Sequence, residues 1–360
     1  MHSTDKKYLK YISYLQVIGI ILVVAGHSVH LYPDGASGVR TLFYRGVYSF
    51  HMPLFLFVSG FLMIYTTGIY YKPKHKIKKY ITGKIKRLLL PFITLTAVTF
   101  FPRAMMSSVA DDVIEPDIQS FFMAFIDKEY LVIPFFWYLQ ACFLLLTVSY
   151  CILYFGRKLN ISIKVMVPIL FLGLLVLYLS PYDVTTLFSL NKIKELGLYF
   201  MLGAMYCMFA DTIDRFIPWT SVFFALLLAV GWGITFTLFE GTEWVIICTV
   251  LGIMMCTSVA RIIEERQWHF LDHLVGANYL IFLLSWYLNV TTQQMLSHFI
   301  ELPWWVHSAL SLFAGIYIPL WAYRYLQCHS ESRWIKLTSF LLGQTIKNNS
   351  KEQSLKIRNI

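Results

Sequence analysis

Two histidines stand inside long apolar stretches of this chain. His27 closes "QVIGIILVVAGH", which begins at Gln16, and His51 opens "HMPLFLFVSGFLM". An imidazole changes charge close to neutral pH, and polar groups in hydrocarbon are costly enough to mark function or a satisfied internal network. A histidine pair at one depth can pass a proton, hold a metal or complete a buried polar network. Metal is the least supported of these. His30 offers a third nitrogen, but no cysteine or carboxylate stands nearby at ligand spacing. Gln16 lies eleven residues before His27, three helical turns plus ~20°, so both fall on one stripe of a helix. Lys84 and Arg87 are one helical turn apart just before "LLLP". They can hold the phosphates of a cytoplasmic ligand or anchor a helix end at a membrane surface.

The elements that position these residues are membrane spans. The chain of 360 residues is 58% hydrophobic and 14% charged, with a mean hydropathy of +0.61. A soluble domain is nearer ~25% charged, so an all-α integral membrane protein is expected. Ten stretches read as spans, at about 12–32, 43–67, 88–105, 132–155, 161–180, 193–210, 218–239, 242–260, 270–290 and 303–326. Residues 1–330 read as one transmembrane domain, followed by a basic tail over 331–360. The first apolar run is too long for a signal-peptide core, and "GHSVHLY" is a poor cleavage site, so it reads as a retained span. The six cysteines have neither zinc-ligand nor redox spacing. The net charge of +10 comes from residues set between apolar runs, which argues against nucleic acid as a partner.

Charge alternates along the chain. Lys6, Lys7 and Lys10, then Lys72 to Arg87, then Arg157, Lys158, Lys164, Arg261, Arg266 and the tail fall on one side. Asp111, Asp112, Glu115, Asp117, Glu240 and Glu243 fall on the other. The positive-inside rule places both termini in the cytoplasm. His27 and His51 then lie at matched depth, ~8–9 Å below the outer boundary, with the basic pair ~20 Å away near the inner one. Gly19 and Gly26 allow close approach to the first helix, Pro53 kinks the second, and Ser59-Gly60 gives it a further weak point. The loop over about 103–131 is long and acidic, a loop length that is often functional.

"VIGIILVVAGHS" followed by "SFHMPLFLFVSGFLM" resembles the membrane acyltransferase-3 family. "KIKRLLLPF", "FFWYLQACFLL", "LYFMLGAMY" and "GANYLIFLLSWYLN" are similar, in order, to later family segments. The family has a ten-span core with cytoplasmic termini and includes O-acetyltransferases of surface polysaccharides. Three positions depart from its pattern. Gln16 stands where an arginine is usual, Lys84 replaces the first of two arginines, and Ser285 replaces a late histidine.

The resemblance implies transfer of an acyl group, acetyl in the O-acetyltransferases, from cytoplasmic acyl-CoA to a glycan or lipid-linked sugar. His27 would be the general base. His51 would orient it or donate to the oxyanion, and Lys84, Arg87 and Gln16 would serve the donor. No metal is expected. Membrane lipids and polysaccharide synthesis machinery are the other expected partners, and the cell membrane is the expected location. Two other readings fit the residues. One is a glycan transporter or flippase, although no paired halves with broken helices are visible. The other is a catalytically weakened partner in a glycan-synthesis complex, suggested by Gln16.

Overall fold

The computed structural model describes residues 9–30, 38–69, 76–105, 115–238, 242–299 and 303–345. Asp111, Asp112 and Glu240, expected on the outer side, lie outside the described residues, as do Lys6, Lys7, Lys72 and Lys74. The helices in chain order are α1 (Lys10–His30), α2 (Gly38–Tyr48), α3 (His51–Thr67), α4 (Ile77–Lys84), α5 (Leu90–Met105), α6 (Ile118–Met123), α7 (Trp137–Lys158), α8 (Ile163–Leu179), α9 (Leu190–Phe216), α10 (Val222–Leu238), α11 (Thr242–Glu265), α12 (Asn278–Phe299), α13 (Trp304–Cys328) and α14 (Arg333–Leu341). No strand forms among the described residues beyond an isolated bridge between Asp127 and Leu187.

Seven helical stretches among the described residues are long and apolar enough to cross a membrane: Lys10–Val29, Gly38–Thr67, Ile77–Met105, Pro134–Lys158, Leu190–Phe216, Trp244–Glu265 and Trp304–Cys328. α8 and α10 are apolar but shorter. α12 has 22 residues, and Asn289, Thr291, Thr292, Gln293 and Gln294 dilute its apolar character. The expected third stretch begins earlier than its hydropathy suggests. α4 and α5 run into each other through a π-helical turn at Ile85–Leu89, so the basic residues before Leu88 are helical.

The chain divides into two compact units. The first comprises Met1–Tyr70, Val167–Leu172 and Leu198–Leu320; the second comprises Tyr71–Met166, Gly173–Gly197 and Trp321–Ile360. In the first unit α1 is central, packing against α2, α3, α11 and α12. Its Tyr14, Leu15, Val17, Ile20 and Val24 are fully buried.

Backbone contact between α3 and α9 explains two glycines of this unit. A Cβ on Gly60 would fall 1.8 Å from the Phe200 carbonyl oxygen, and one on Gly203 would fall 1.8 Å from that of Phe57. The two helices touch where only hydrogen fits, which is how small residues pack membrane helices.

The second unit places α7 against α4 and the π turn. The Gln140 amide on α7 donates to the Phe125 carbonyl at 3.0 Å and accepts from the Ser189 hydroxyl at 2.6 Å. This ties the end of the expected long loop to the start of α9. Asp117 in that loop caps α6 by accepting from the Ser120 N–H at 2.7 Å, which holds its carboxyl below the usual range. The polar end of the chain is helical over Arg333–Leu341, and α14 lies against α5.

Candidate active site

His27 sits on the last full turn of α1. One residue earlier, a Cβ on Gly26 would lie 3.0 Å from the ring of Tyr48, so the missing side chain leaves the space this ring occupies. The Tyr48 hydroxyl is 3.3 Å from Nδ1 of His27. The same ring meets His51 edge-on with centroids 4.6 Å apart, and Tyr44 packs on it at 4.0 Å. The two histidines therefore share one aromatic neighbour, Tyr48, contributed by the last residue of α2.

The chemistry of the two imidazoles differs. His51 is 2% exposed, and its Nδ1 lies 2.9 Å from the Val47 carbonyl. A carbonyl only accepts, so Nδ1 carries the hydrogen, and Nε2 of the neutral ring presents a lone pair. His27 is half-buried, and its contact is a hydroxyl that can donate or accept.

Pro53 creates the break between α2 and α3. It has no N–H, so the Ser49 carbonyl loses its helical partner four residues on. That carbonyl instead accepts from the Thr249 hydroxyl of α11 at 2.8 Å. The Ser49 hydroxyl donates to the Gly46 carbonyl at 2.7 Å and accepts from Trp232 Nε1 at 3.2 Å. The backbone and side-chain groups of Ser49 at the break are bound to α2, α10 and α11, as hydrocarbon demands. The break also holds Tyr48 over His51.

Gln16 lies on the His27 stripe and meets the first residue of α12. Asn278 Nδ2 donates to Gln16 Oε1 at 3.3 Å. The orientation of the Asn278 amide is fixed by its own oxygen, which accepts from the Gly276 N–H at 3.1 Å. Among the described residues, two cations beside this end of α1, Lys10 and Arg261, are engaged with other partners. Lys10 pairs with Asp272 at 3.2 Å, and Asp272 also accepts from Tyr14 at 2.6 Å and contacts His269 at 2.9 Å. These bonds, that of Tyr14 foremost, hold the Asp272 carboxyl down to about 2. Arg261 binds Asp214 at 2.7 Å and the Tyr206 hydroxyl at 2.6 Å, and its guanidinium lies 4.2 Å from the ring of Tyr11. Tyr11 and Gln16 are five positions apart, about 140° around the helix.

Lys84 and Arg87 belong to the second unit. Lys84 ends α4 with its Nζ 5.1 Å from the Tyr80 ring, which stacks on Tyr150 at 3.9 Å. Arg87 falls within the π turn and is exposed. The wider turn rotates it away from the α-helical register with Lys84 that its spacing suggests, and such turns recur at functional sites. Gly343, with φ of +62°, brings the chain after α14 onto this turn, where a Cβ would lie 2.9 Å from the Arg87 carbonyl.

A model of the acyltransferase domain of the acyltransferase-3 family matches residues 9–324. The chain belongs to that family. No curated protein matches, and neither does any solved structure. Four of the six segments that carry the family pattern in this acyltransferase meet one another in the first unit, and the other two, around Lys84 and Trp137, belong to the second. The helix of His27 packs on that of His51, Gly60 of "VSGFLM" meets Phe200 of "LYFMLGAMY", and Asn278 of "GANYLIF" meets Gln16.

Tyr48, Thr249, Asn278 and Arg261 were not singled out from sequence for any role at the site. Tyr48 had a visible signal, since it lies three residues before His51 and so one turn from it. Asn278 and Thr249 had none, because their partners lie 262 and 200 residues away.

Proposed function

We propose that this membrane acyltransferase moves an acyl group, acetyl in the simplest case, from acyl-CoA at the cytoplasmic face to a hydroxyl of a glycan at or beyond the outer face. Its place is the cell membrane, with both termini cytoplasmic. The observation that carries the reading is the convergence of His27 and His51 on Tyr48, inside a chain that belongs to an acyltransferase family.

His27 is the general base. With its Nδ1 hydrogen donated to the Tyr48 oxygen, its Nε2 takes the proton of the acceptor hydroxyl. The oxygen attacks the thioester carbonyl carbon, the carbon–sulfur bond breaks, and the thiolate recovers the proton from the imidazolium. His51 already donates its Nδ1 hydrogen to Val47, which favours an orienting role through the Tyr48 ring over donation to an oxyanion. Lys84 and Arg87 contact the donor phosphates, and Gln16 lines the route between the two ends. The donor thioester reaches His27 either on the extended pantetheine arm or by relay of the acyl group.

The test is transfer of labelled acetyl-CoA to surface glycan in membranes carrying His27→Ala. Loss of glycan label with normal protein level is expected, and undiminished labelling overturns the general-base role. Normal export of unacetylated polymer in a deletion strain separates this reading from transport, in which the polymer would be retained.

A further inference from the structure

α1 ends at His30, so the Ser28 carbonyl has no N–H four residues on within its own helix. In hydrocarbon such an oxygen needs a donor from elsewhere, and it has two. Gln293 Nε2 of α12 and the Ser308 hydroxyl of α13 both donate to it, the hydroxyl at 3.3 Å. One turn earlier, the Val24 carbonyl accepts from Asn289 Nδ2 of α12 at 3.3 Å and from the Ser28 hydroxyl at 2.7 Å. Val24 and Ser28 are four residues apart on α1, as Asn289 and Gln293 are on α12, so the two helices meet in two rungs of one register. Ser311 of α13 joins the rungs: its hydroxyl accepts from Gln293 Nε2 at 3.4 Å and donates to the Asn289 carbonyl at 3.4 Å. All of these residues belong to the first unit.

The ladder is buried and directional. Ser28, Asn289, Gln293, Ser308 and Ser311 are all buried. A carbonyl only accepts, so both amides present their NH₂ groups to α1. Their oxygens, Asn289 Oδ1 and Gln293 Oε1, then turn away and meet no donor among the described residues. Gly315 of α13 leaves room for the first of them, since a Cβ there would press on the Asn289 amide and lie 2.8 Å from Val24 Cγ1. An amide that only held two helices together would use both of its ends. Here one end stays unmet while the other is committed to the carbonyls of α1.

His27 stands between this ladder and Tyr48. Gly26 faces the Tyr48 ring. Val24 and Ser28 lie two residues before and after Gly26, about 160° around the helix from it. The last turn of α1 is therefore held by α2 on one side and by α12 and α13 on the opposite side. His27 immediately precedes Ser28, the residue whose carbonyl takes two of the ladder's donors.

We infer that Gln293 is a positioning residue for His27. By holding the Ser28 carbonyl at the end of α1, it fixes the height and rotation of the turn that carries the imidazole, and Ser308 supports it on the same acceptor. Gln293 acts through the helix and touches neither substrate. The inference rests on the reading of His27 as general base.

The test is labelled acetyl transfer by the full chain in membranes at matched protein levels. Gln293→Met keeps the length of the side chain and removes the donor. It is expected to lower kcat by ~10–100-fold with the KM for acetyl-CoA unchanged, because displacing a catalytic group slows the chemical step without touching donor binding. Gln293→Glu separates positioning from packing. Its carboxyl donates to the Ser28 carbonyl when protonated and repels that oxygen when ionised, and a buried glutamate titrates between about pH 5 and pH 9. The histidines toward this end of the three helices are His27 and His30 of α1, His298 of α12 and His307 of α13. Wild type shares them, so they cancel in the ratio of the two rates. That ratio is expected near one at the acid end, which also shows that the variant folds, and to fall about tenfold as pH rises. A ratio flat with pH overturns the inference, as does a Gln293→Met enzyme with full kcat. A raised KM at unchanged kcat overturns it too, by placing Gln293 in substrate binding. Undiminished labelling by His27→Ala would instead remove the general base on which the inference rests, whereas loss in His27→Ala with a flat Gln293→Glu ratio removes the inference alone.

Discussion

The hydroxyl of Tyr48 lies 3.3 Å from Nδ1 of His27, while its ring covers the edge of the buried His51. Removing that hydroxyl keeps the ring packing and takes away a contact that orients the His27 ring. Tyr48→Phe is expected to lower glycan acetylation by about tenfold, the effect of losing ~1.4 kcal/mol of orientation. His27→Ala should cost the ~10²–10⁴ that a general base contributes. Initial rates in membranes at matched protein levels check both. A Tyr48→Phe enzyme at full rate would remove Tyr48 from the mechanism.

Pro53 and Thr249 act on one carbonyl. Thr249→Val leaves the Ser49 oxygen buried without a donor, and an unmet buried acceptor costs ~1–3 kcal/mol. Pro53→Ala returns an N–H to that oxygen. The Thr249→Val penalty in melting temperature should therefore shrink when Pro53→Ala is also present, a coupling that a double-mutant cycle reads directly. Strict additivity would mean that the hydroxyl and the proline are unrelated.

How far the sequence discloses this molecule depends on the range of each interaction. The all-α membrane character and the helices of His27 and His51 are legible because apolar runs and short motifs are local. The division of the second stretch into α2 and α3 is not, since Ser49 and Phe50 look like two more residues of one run. The consequence is that Tyr48, at the end of α2, is not recognised as the residue on which both histidines converge. Gly60 and Gly203 are each visible within a family motif, but nothing local says that one meets Phe200 and the other Phe57. That His27 and His51 come near one another could be anticipated by counting from span ends. The partners of Gln16 and Ser49 could not, because tertiary packing alone chooses Asn278 and Thr249.

The crossing of α3 and α9 leaves no room for a methyl group. Gly60→Ala and Gly203→Ala each place a carbon 1.8 Å from a carbonyl oxygen, so the helices must separate along their whole contact. Destabilisation in the exceptional range above ~4 kcal/mol is expected, seen as loss of the monodisperse peak when the tagged protein is solubilised in mild detergent. A normal peak from either variant would show that these helices do not cross at those glycines.

Asp272 joins Lys10 and Tyr14 of α1 to the turn before α12. Its folded pKa of about 2 lies below the ~3.9 of an unfolded aspartate. The stabilisation from its ionised form is thus complete above pH ~4 and disappears as pH falls through about 2. Asp272→Asn should melt at a lower temperature than wild type at pH 7, with the gap closing between pH 4 and pH 2. A gap unchanged over that window would mean that the carboxylate charge plays no part in the tie.

Gln16 stands where the family usually has arginine, and its neighbour explains why an amide suits this chain. Asn278 receives the Gly276 N–H on its oxygen, so it turns its NH₂ toward position 16 and needs an acceptor there. Glutamine supplies that acceptor and keeps its own NH₂ for a ligand on the His27 stripe. Arginine has only donors, so Gln16→Arg would set donor against donor. The prediction runs against simple restoration of the family pattern: Gln16→Arg lowers acetylation, whereas Gln16→Arg with Asn278→Asp recovers it, because aspartate accepts from both Gly276 and the guanidinium. Gln16→Glu, which keeps the acceptor, should lose less than Gln16→Arg. Rates of labelled acetyl transfer for the three variants decide the matter, and a Gln16→Arg enzyme faster than wild type would mean that Asn278 does not set the requirement at position 16.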